Sequence, residues 1–366
     1  MIVHIFTAKR YHLVPSIAKG FVTIYKDSGQ HKILLWGRGP INWQLYDDLF
    51  QEVGFADYFF CESKWKLFKL LRKDRSNSVL FHAGSYSHFL IAFIAGCRNV
   101  NWVCWGSGAS IRNSWRSRLL VLPKSWIYRH FSSIVTLMDA DRDSIIHDFK
   151  VNPARVRTIP YASSGGKNQR DEICLSLLKN EMKKNIKPVV LLGNNPSNMV
   201  YYIKLMDFLK PFKGKICVHC MMNYSVNKNQ QYEDFIKHGT DLFGDDFKSN
   251  EEFYEGNLEF VNYMNTCDVY MCGCPDQTGL GALSTVLELG KKAFVTGKNY
   301  DWATKECGAK VFNISDIKDY EGLVKPLSTE EKLQNYNAII KTRDLPPLLW
   351  KEYLRQLNTK NINEVK

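Results

Sequence analysis

Two glycine-rich turns carry the clearest chemical signal in this 366-residue sequence. The first is Val189-Val190-Leu191-Leu192-Gly193-Asn194-Asn195-Pro196-Ser197-Asn198, an apolar run that breaks into Gly and small polar residues ahead of a helix-like stretch. Backbone N–H groups at such a turn, with the positive end of the following helix, make a seat for a pyrophosphate. The same residue types cap ordinary strand-to-helix turns, so these residues alone leave both readings open. The second is Gln277-Thr278-Gly279-Leu280-Gly281-Ala282, at the start of an apolar helix that runs to Gly290. Its small residues let a phosphate approach the backbone closely. Glu288, a carboxylate in that apolar helix, is either a solvent residue or an acceptor for a ribose hydroxyl. Two phosphate-type turns in one domain favour the ribose.

Other groups carry less. Asp139-Ala140-Asp141-Arg142-Asp143 contains overlapping D-x-D, a signature of metal-dependent transferases, but it opens a predicted helix, where carboxylates are expected beside the macrodipole. No essential metal and no cofactor are expected. His4, His12, His82 and His88 fall near predicted strand ends in the first half, where an acceptor hydroxyl would need a base. His82 is preferred because it ends the run Val79-Leu80-Phe81, although a lone histidine is more often a satisfied core or surface residue. Cys217-Val218-His219-Cys220 and Cys272-Gly273-Cys274 resemble halves of a zinc site, yet CVHC continues an apolar strand-like run and CxC is a poor ligand spacing. All ten cysteines are expected to be structural thiols, in a chain without a secretory leader pattern.

These groups need a scaffold, and the chain supplies one twice. In the first half, short apolar runs at 2–6, 32–36, 58–61, 78–82, 101–105, 133–137 and 156–159 alternate with helix-length stretches at 42–53, 65–74, 87–95, 115–130 and 140–149. Strand-helix alternation predicts a parallel sheet covered on both faces. The periodicity stops around 163–168 and restarts at Val189, with strand-like runs at 189–192, 215–219, 258–264, 269–271 and 293–295. The expected organisation is an α/β first domain over 1–165, a linker over 166–187, a second α/β domain over 188–340, and a helical tail over 341–366 that folds back on the first domain.

Charge divides the two halves. Residues 1–187 hold 28 of the 49 Lys and Arg but only 14 of the 37 Asp and Glu, so the whole excess of positive charge lies there. Such asymmetry implies that the first half faces a polyanion, an acidic lipid surface or nucleic acid. Lys64, Trp65, Lys66, Lys69 and Arg72, and again Arg112, Trp115 and Arg116, set cations beside aromatic and apolar residues in the manner of interfacial helices. A solvated helix packing its apolar stripe on the sheet is the alternative for each. The longest apolar run, 89–96, is far short of the roughly 20 residues that span a bilayer. Membrane contact is therefore expected to be peripheral, and no nucleic-acid motif is evident.

Read in order, Phe81-His82-Ala83-Gly84, Trp102-Val103-Cys104-Trp105-Gly106, Leu192-Gly193-Asn194 with Ser197-Asn198, Met222-Asn223-Tyr224, Leu258-Glu259-Phe260 with Tyr263 and Cys267-Asp268, and Gln277-Thr278-Gly279-Leu280-Gly281 together resemble the 4-acetamido-4,6-dideoxy-galactose (Fuc4NAc) transferase family of enterobacterial common antigen synthesis. That resemblance implies a GT-B fold, two Rossmann-like domains facing across a cleft. It implies a dTDP-sugar donor and an undecaprenyl-pyrophosphate-linked oligosaccharide acceptor at the cytoplasmic face of the inner membrane. Gly193, Asn194, Ser197, Tyr224, Gln277, Thr278, Gly279 and Gly281 would then surround the nucleotide diphosphate, with His82 lining the cleft. Where the family pattern reads Trp-Gly-Ala-Asp this chain has Trp105-Gly106-Ser107-Gly108, so a changed sugar or acceptor is equally compatible. An O-antigen or capsule transferase using a UDP-sugar, a sugar-nucleotide epimerase of the same architecture, and a basic nucleic-acid-binding module are the rival readings.

Overall fold

The computed structural model describes residues 1–7, 17, 20–21, 25–37, 43–52, 57–106, 108–109, 111, 121–160, 167–179, 186–193, 195, 198–222, 229–251, 254 and 257–363. The chain forms two compact units, Met1–Ser164 with Arg343–Lys366, and Gly165–Thr342.

The first unit is built on seven strands, β1 Ile2–Thr7, β2 His31–Trp36, β3 Tyr58–Cys61, β4 Ser78–His82, β5 Val100–Cys104, β6 Ser133–Thr136 and β7 Val156–Thr158, in the spatial order β3-β2-β1-β4-β5-β6-β7. Every pairing is parallel. A parallel sheet needs cover on both faces. One face buries Val3, Ile5, Leu34, Val79, Phe81 and Trp102 under α2 Lys64–Lys73, α3 Tyr86–Ile94, α4 Val121–His130 and α5 Asp139–Phe149, while Tyr46 and Phe50 of α1 Trp43–Glu52 belong to the core of the opposite face. The other face buries Ile2, Phe6, Ile33, Leu35, Leu80 and Val103 against Trp350, Tyr353, Leu354 and Leu357 of the last helix.

The second unit opens on α6 Lys167–Lys179, within the stretch expected to be linker. Its strands β8 Val189–Leu192, β9 Cys217–Met221, β10 Phe247–Asn250, β11 Val269–Cys272, β12 Lys292–Val295 and β13 Phe312–Asn313 form a six-stranded parallel sheet ordered β10-β9-β8-β11-β12-β13. The longer helices are α7 Met199–Leu209, α8 Gln230–Phe243, α9 Asn257–Asn265 and α10 Leu280–Glu288, followed by α11 Thr329–Asp344 and α12 Pro346–Asn363. The 258–264 run is a helix, not a strand: Val261 and Met264 are its buried positions, and a spacing of three is helical. All ten cysteines are free thiols, with Cys217 and Cys220 on β9.

The tail is held by specific bonds. Trp350 is fully buried, lies edge-on to Phe21 at 5.1 Å, and donates Nε1–H to Pro160 O at 2.9 Å. Tyr353 Oη and Ser133 Oγ share a bond of 2.6 Å, and Ser78 Oγ donates to Leu357 O. Trp350→Ala is expected to destabilise the first unit by about 4 kcal/mol, a lost indole plus the hole it leaves. Urea unfolding read on the first unit's aromatic near-UV signal checks this, and a loss under about 1 kcal/mol would show that the tail is not part of that core.

Candidate functional site

In both sheets the strand order reverses at one place, between β1 and β4 and between β8 and β11. Ligands of open parallel sheets bind outside the carboxyl ends of the strands at such a reversal.

In the second unit both glycine-rich turns converge there. Gly193 follows β8 with φ 50°, in the left-handed region, and donates its N–H to Met271 O of β11 at 3.0 Å. A Cβ on Gly193 would lie 2.1 Å from the Tyr202 ring, so the turn requires glycine twice over. Tyr202 Oη accepts from Asn195 N–H at 2.9 Å and donates to Asn195 O at 3.0 Å, which braces the turn against α7. Asn198 at the start of α7 donates Nδ2–H to Thr278 Oγ1 at 3.0 Å, tying the first turn to the second. Thr278 is clamped through its backbone, donating N–H to Asn299 Oδ1 and accepting Asn299 Nδ2–H at its carbonyl (2.6 Å). Gly279, φ 62°, then starts α10. The first amides of a helix have no intrahelical acceptor and face outward from its end. Gly281 sits among them, and a Cβ there would meet nothing within 4 Å. Gln277 Oε1 is buried with no hydrogen-bond partner among the described residues.

Sequence reasoning missed the fully buried Asn299, which clamps Thr278. The signal was available in Thr296-Gly297-Lys298-Asn299, a third apolar strand breaking into Gly and polar residues. Glu288, expected beside a ribose, ends α10 at 2% exposure. It stands nine residues beyond Gly279, about 13 Å along the helix axis. Asn194, Ser197 and Tyr224 lie outside the described residues, as do His12, Arg112, Trp115 and Arg116.

In the first unit a cavity of about 610 Å³ opens at the carboxyl ends of β1, β4 and β5. Thr7, Trp36, the turn from His82 to Phe89, Trp102, Trp105 and Tyr128 border it, with Lys64 and Lys124 the charged residues. The turn from β4 into α3 is tight: Ala83 takes φ 63° and Gly84 φ 119°. A Cβ on Gly84 would press on Phe89 at 2.7 Å. Ser85 caps α3, and its N–H donates to His88 Nδ1 at 3.3 Å.

His82 borders this cavity at the strand end, but its ring is 1% exposed, stacked on Phe6 at 4.1 Å and edge-on to Phe21. Expected as a base for an acceptor hydroxyl, it is instead the last ring of a buried chain. His31 Nε2–H donates to Tyr25 O (3.1 Å), so His31 Nδ1 accepts from His4 Nε2–H (2.9 Å), and His4 Nδ1 accepts from His82 Nε2–H (3.0 Å). A backbone carbonyl accepts only, which sets the direction of the whole chain. Burial holds the His4 and His82 rings neutral, well below the usual imidazole range.

Asp139 and Asp141 stand in the first turn of α5, where Asp139 accepts from Thr158 Oγ1 at 2.5 Å and Asp141 is fully buried. On α2, Leu67 and Leu71 are the buried stripe while Lys64, Lys66, Lys69 and Arg72 are exposed. Trp65 is 64% exposed, with Lys69 Nζ 5.4 Å from its ring centroid. Ile94, Leu122 and Trp126 are further exposed apolar side chains on α3 and α4.

No family model matches the sequence, and no curated protein matches it. Solved structures do match over nearly the whole chain. A glycosyltransferase from Rickettsia africae superposes with a TM-score of 0.62 at 11% identity, over 97% of this chain and 98% of that one. HepE from Anabaena, in complex with UDP-glucose, gives 0.65 at 12% identity over 98% and 99%. The fold is GT-B. The GT-B likeness extends to the UDP-GlcNAc 2-epimerase from Neisseria meningitidis bound to UDP-GlcNAc, with a TM-score of 0.52 at 11% identity over 99% of each chain. At these identities the agreement is one of fold.

Proposed function

We propose that this chain is a glycosyltransferase whose sugar donor, a nucleoside diphosphate sugar, sits on the joined turns of the second unit. The observation that carries the reading is the run of hydrogen bonds from Asn198 to Thr278 to Asn299, which fixes both glycine turns at the N-terminus of α10. Amides directed at a leaving diphosphate stabilise the charge that grows on it as the glycosidic bond breaks, at no cost in reorganisation. HepE, which shares the fold, was solved with UDP-glucose, and the transferases align more closely than the epimerase does. We propose dTDP as the donor nucleotide and a lipid-linked glycan as acceptor. The exposed Trp65 among the cations of α2 supports docking of the first unit on an anionic membrane surface, at the cytoplasmic face of the inner membrane. No metal or other cofactor is assigned to the reaction.

Thermal stabilisation by dTDP, UDP, GDP, ADP and NAD at equal concentration tests the donor. A ligand that binds only the folded chain raises its melting temperature, by about 2.7 kcal/mol of stability at a hundred times its Kd. A selective rise with dTDP or UDP is expected. A folded protein that responds to none of the five would remove the donor site. Incubation with the matching nucleotide sugar separates the two enzyme classes: a transferase releases nucleoside diphosphate in proportion to acceptor, whereas an epimerase yields an isomeric nucleotide sugar without any acceptor.

A further inference from the structure

A threonine hydroxyl carries one proton and two lone pairs, so a bond that it accepts limits where it can donate. Thr278 stands just before Gly279 at the start of α10, and its Oγ1 accepts Nδ2–H of Asn198 at 3.0 Å. An amide N–H only donates, so Thr278 keeps its own proton in that bond. The remaining bonds of Thr278 run through its backbone to Asn299. Its hydroxyl proton therefore has no acceptor among the described residues.

The Asn198 amide is itself held in place. Its Oδ1 accepts from Cys274 Sγ–H at 3.8 Å, and its backbone N–H donates to Asn195 O at 2.9 Å where α7 begins. Thiol, amide and hydroxyl form a chain with one direction, from Cys274 through Asn198 to Thr278. Cys274 is buried and Thr278 only partly so, which runs the chain from the core toward the surface. Turned over, the amide would take the Thr278 proton for itself and offer sulfur an N–H instead. Only the orientation in the structure leaves an O–H to give away.

What receives that proton is decided by the surroundings. Gly279 follows directly in a left-handed conformation, and the Cβ direction of Gly281 is open, so there is room beside the hydroxyl. A hydroxyl bond to an ionised oxygen is about twice as strong as a neutral one. We infer that Asn198 is a positioning residue of the donor site, which, by donating to Thr278 Oγ1, turns the Thr278 hydroxyl proton onto a phosphate oxygen of the nucleoside diphosphate. This role rests on the nucleotide seat proposed for the second unit, and adds to it a side chain that sets the direction of a bond to the nucleotide without touching it. As the glycosidic bond breaks and charge grows on the diphosphate, a proton already aimed at it needs no reorientation.

The test titrates UDP and dTDP calorimetrically into the full chain and five variants: Thr278→Val, Thr278→Ser, Asn198→Ala, Asn198→Asp, and Asn198→Ala combined with Thr278→Val. Melting curves of each separate a lost bond from a lost fold. Thr278→Val keeps the shape but lacks the hydroxyl, and is expected to weaken nucleotide about tenfold or more, while Thr278→Ser binds as the wild type does. Asn198→Ala frees the hydroxyl among its staggered rotamers and is expected to weaken nucleotide about threefold. Asn198→Asp keeps the shape of the amide but draws the proton back, and is expected to weaken nucleotide more than Asn198→Ala does. In the Thr278→Val background Asn198→Ala is expected to add nothing, because its route to the nucleotide is the missing hydroxyl. An equal loss in both backgrounds would make Asn198 a structural residue and overturn the inference. Wild-type affinity in Thr278→Val or in Asn198→Asp would overturn it as well, and if Gly281→Trp still lost nucleotide the donor seat itself would stand. No nucleotide bound by the folded wild type would defeat the seat, and the role of Asn198 with it.

Discussion

Gly281→Trp is expected to weaken donor binding about a hundredfold while leaving the fold as stable as before. The two effects separate because of where Gly281 stands. Its Cβ would meet no atom within 4 Å, its backbone is not in the left-handed region, and the residue is exposed at the first turn of α10. A substitution at such a position changes stability by about 0.5 kcal/mol or less. The new indole occupies the space over the α10 amides, where the donor's diphosphate is proposed to lie. Loss of the diphosphate contacts is expected to weaken dTDP or UDP by about a hundredfold, roughly 2.7 kcal/mol. Gly193→Ala is the contrasting case: its Cβ would strike the Tyr202 ring and its φ of 50° disfavours any side chain. That variant is expected to lose melting temperature as well as nucleotide. Calorimetric titration beside a melting curve checks both variants. Wild-type nucleotide affinity in a folded Gly281→Trp protein would move the donor away from α10.

The strands of both sheets were legible because most are continuous apolar runs, and a strand buried on both faces announces itself that way. Tyr58–Cys61, Ser78–His82 and Val189–Leu192 have the bounds the apolar runs predict. Phe247–Asn250 and Phe312–Asn313 were not legible: one is a largely polar edge strand, the other is two residues long. Asn257–Asn265 read as a strand because its apolar residues cluster, and only the buried pair Val261 and Met264 reveals the helical period.

At the candidate donor site, the glycines were legible because backbone geometry selects glycine locally. Gly193 and Gly279 do take left-handed conformations at the ends of a strand and before a helix. The depth of Glu288 was not legible, because burial of a carboxylate in an apolar helix is a tertiary property. The lining of the first-unit cavity was not legible for a related reason: Trp36, His88 and Trp102 come from β2, α3 and β5, and only the fold brings these elements around one cavity.

Acid is expected to destabilise the first unit steeply below pH 6.5. His4, His31 and His82 touch one another in its core, and burial depresses all three, with the neighbouring rings and the Met1 amino group adding repulsion against protonation. The sign follows from which state takes up protons. Above pH 6.5 neither the folded nor the unfolded chain protonates these rings, and their neutral contacts are fully present. As pH falls through 6.5 the unfolded chain binds protons that the fold refuses, so stability drops by up to about 1.4 kcal/mol per pH unit for each ring. His88, held down to about 4 by burial and by Lys64, adds to the slope until that pH. With three rings or more fully engaged, the slope approaches about 4 kcal/mol per unit, enough to exhaust a domain of ordinary stability within two to three units. The carbonyl of Tyr25 is central to this behaviour. It fixes the proton on His31 Nε2, and through it the tautomers of His4 and His82, so neither His31 nor His4 can gain a proton without breaking a buried bond. Urea unfolding of the first unit between pH 7.5 and 5.5, with proton uptake read from calorimetry in buffers of different ionisation heat, checks the slope. An uptake of fewer than two protons across that window would mean that the chain accepts charge in place, through water or movement of its rings, and that His82 is less rigidly held than its contacts indicate.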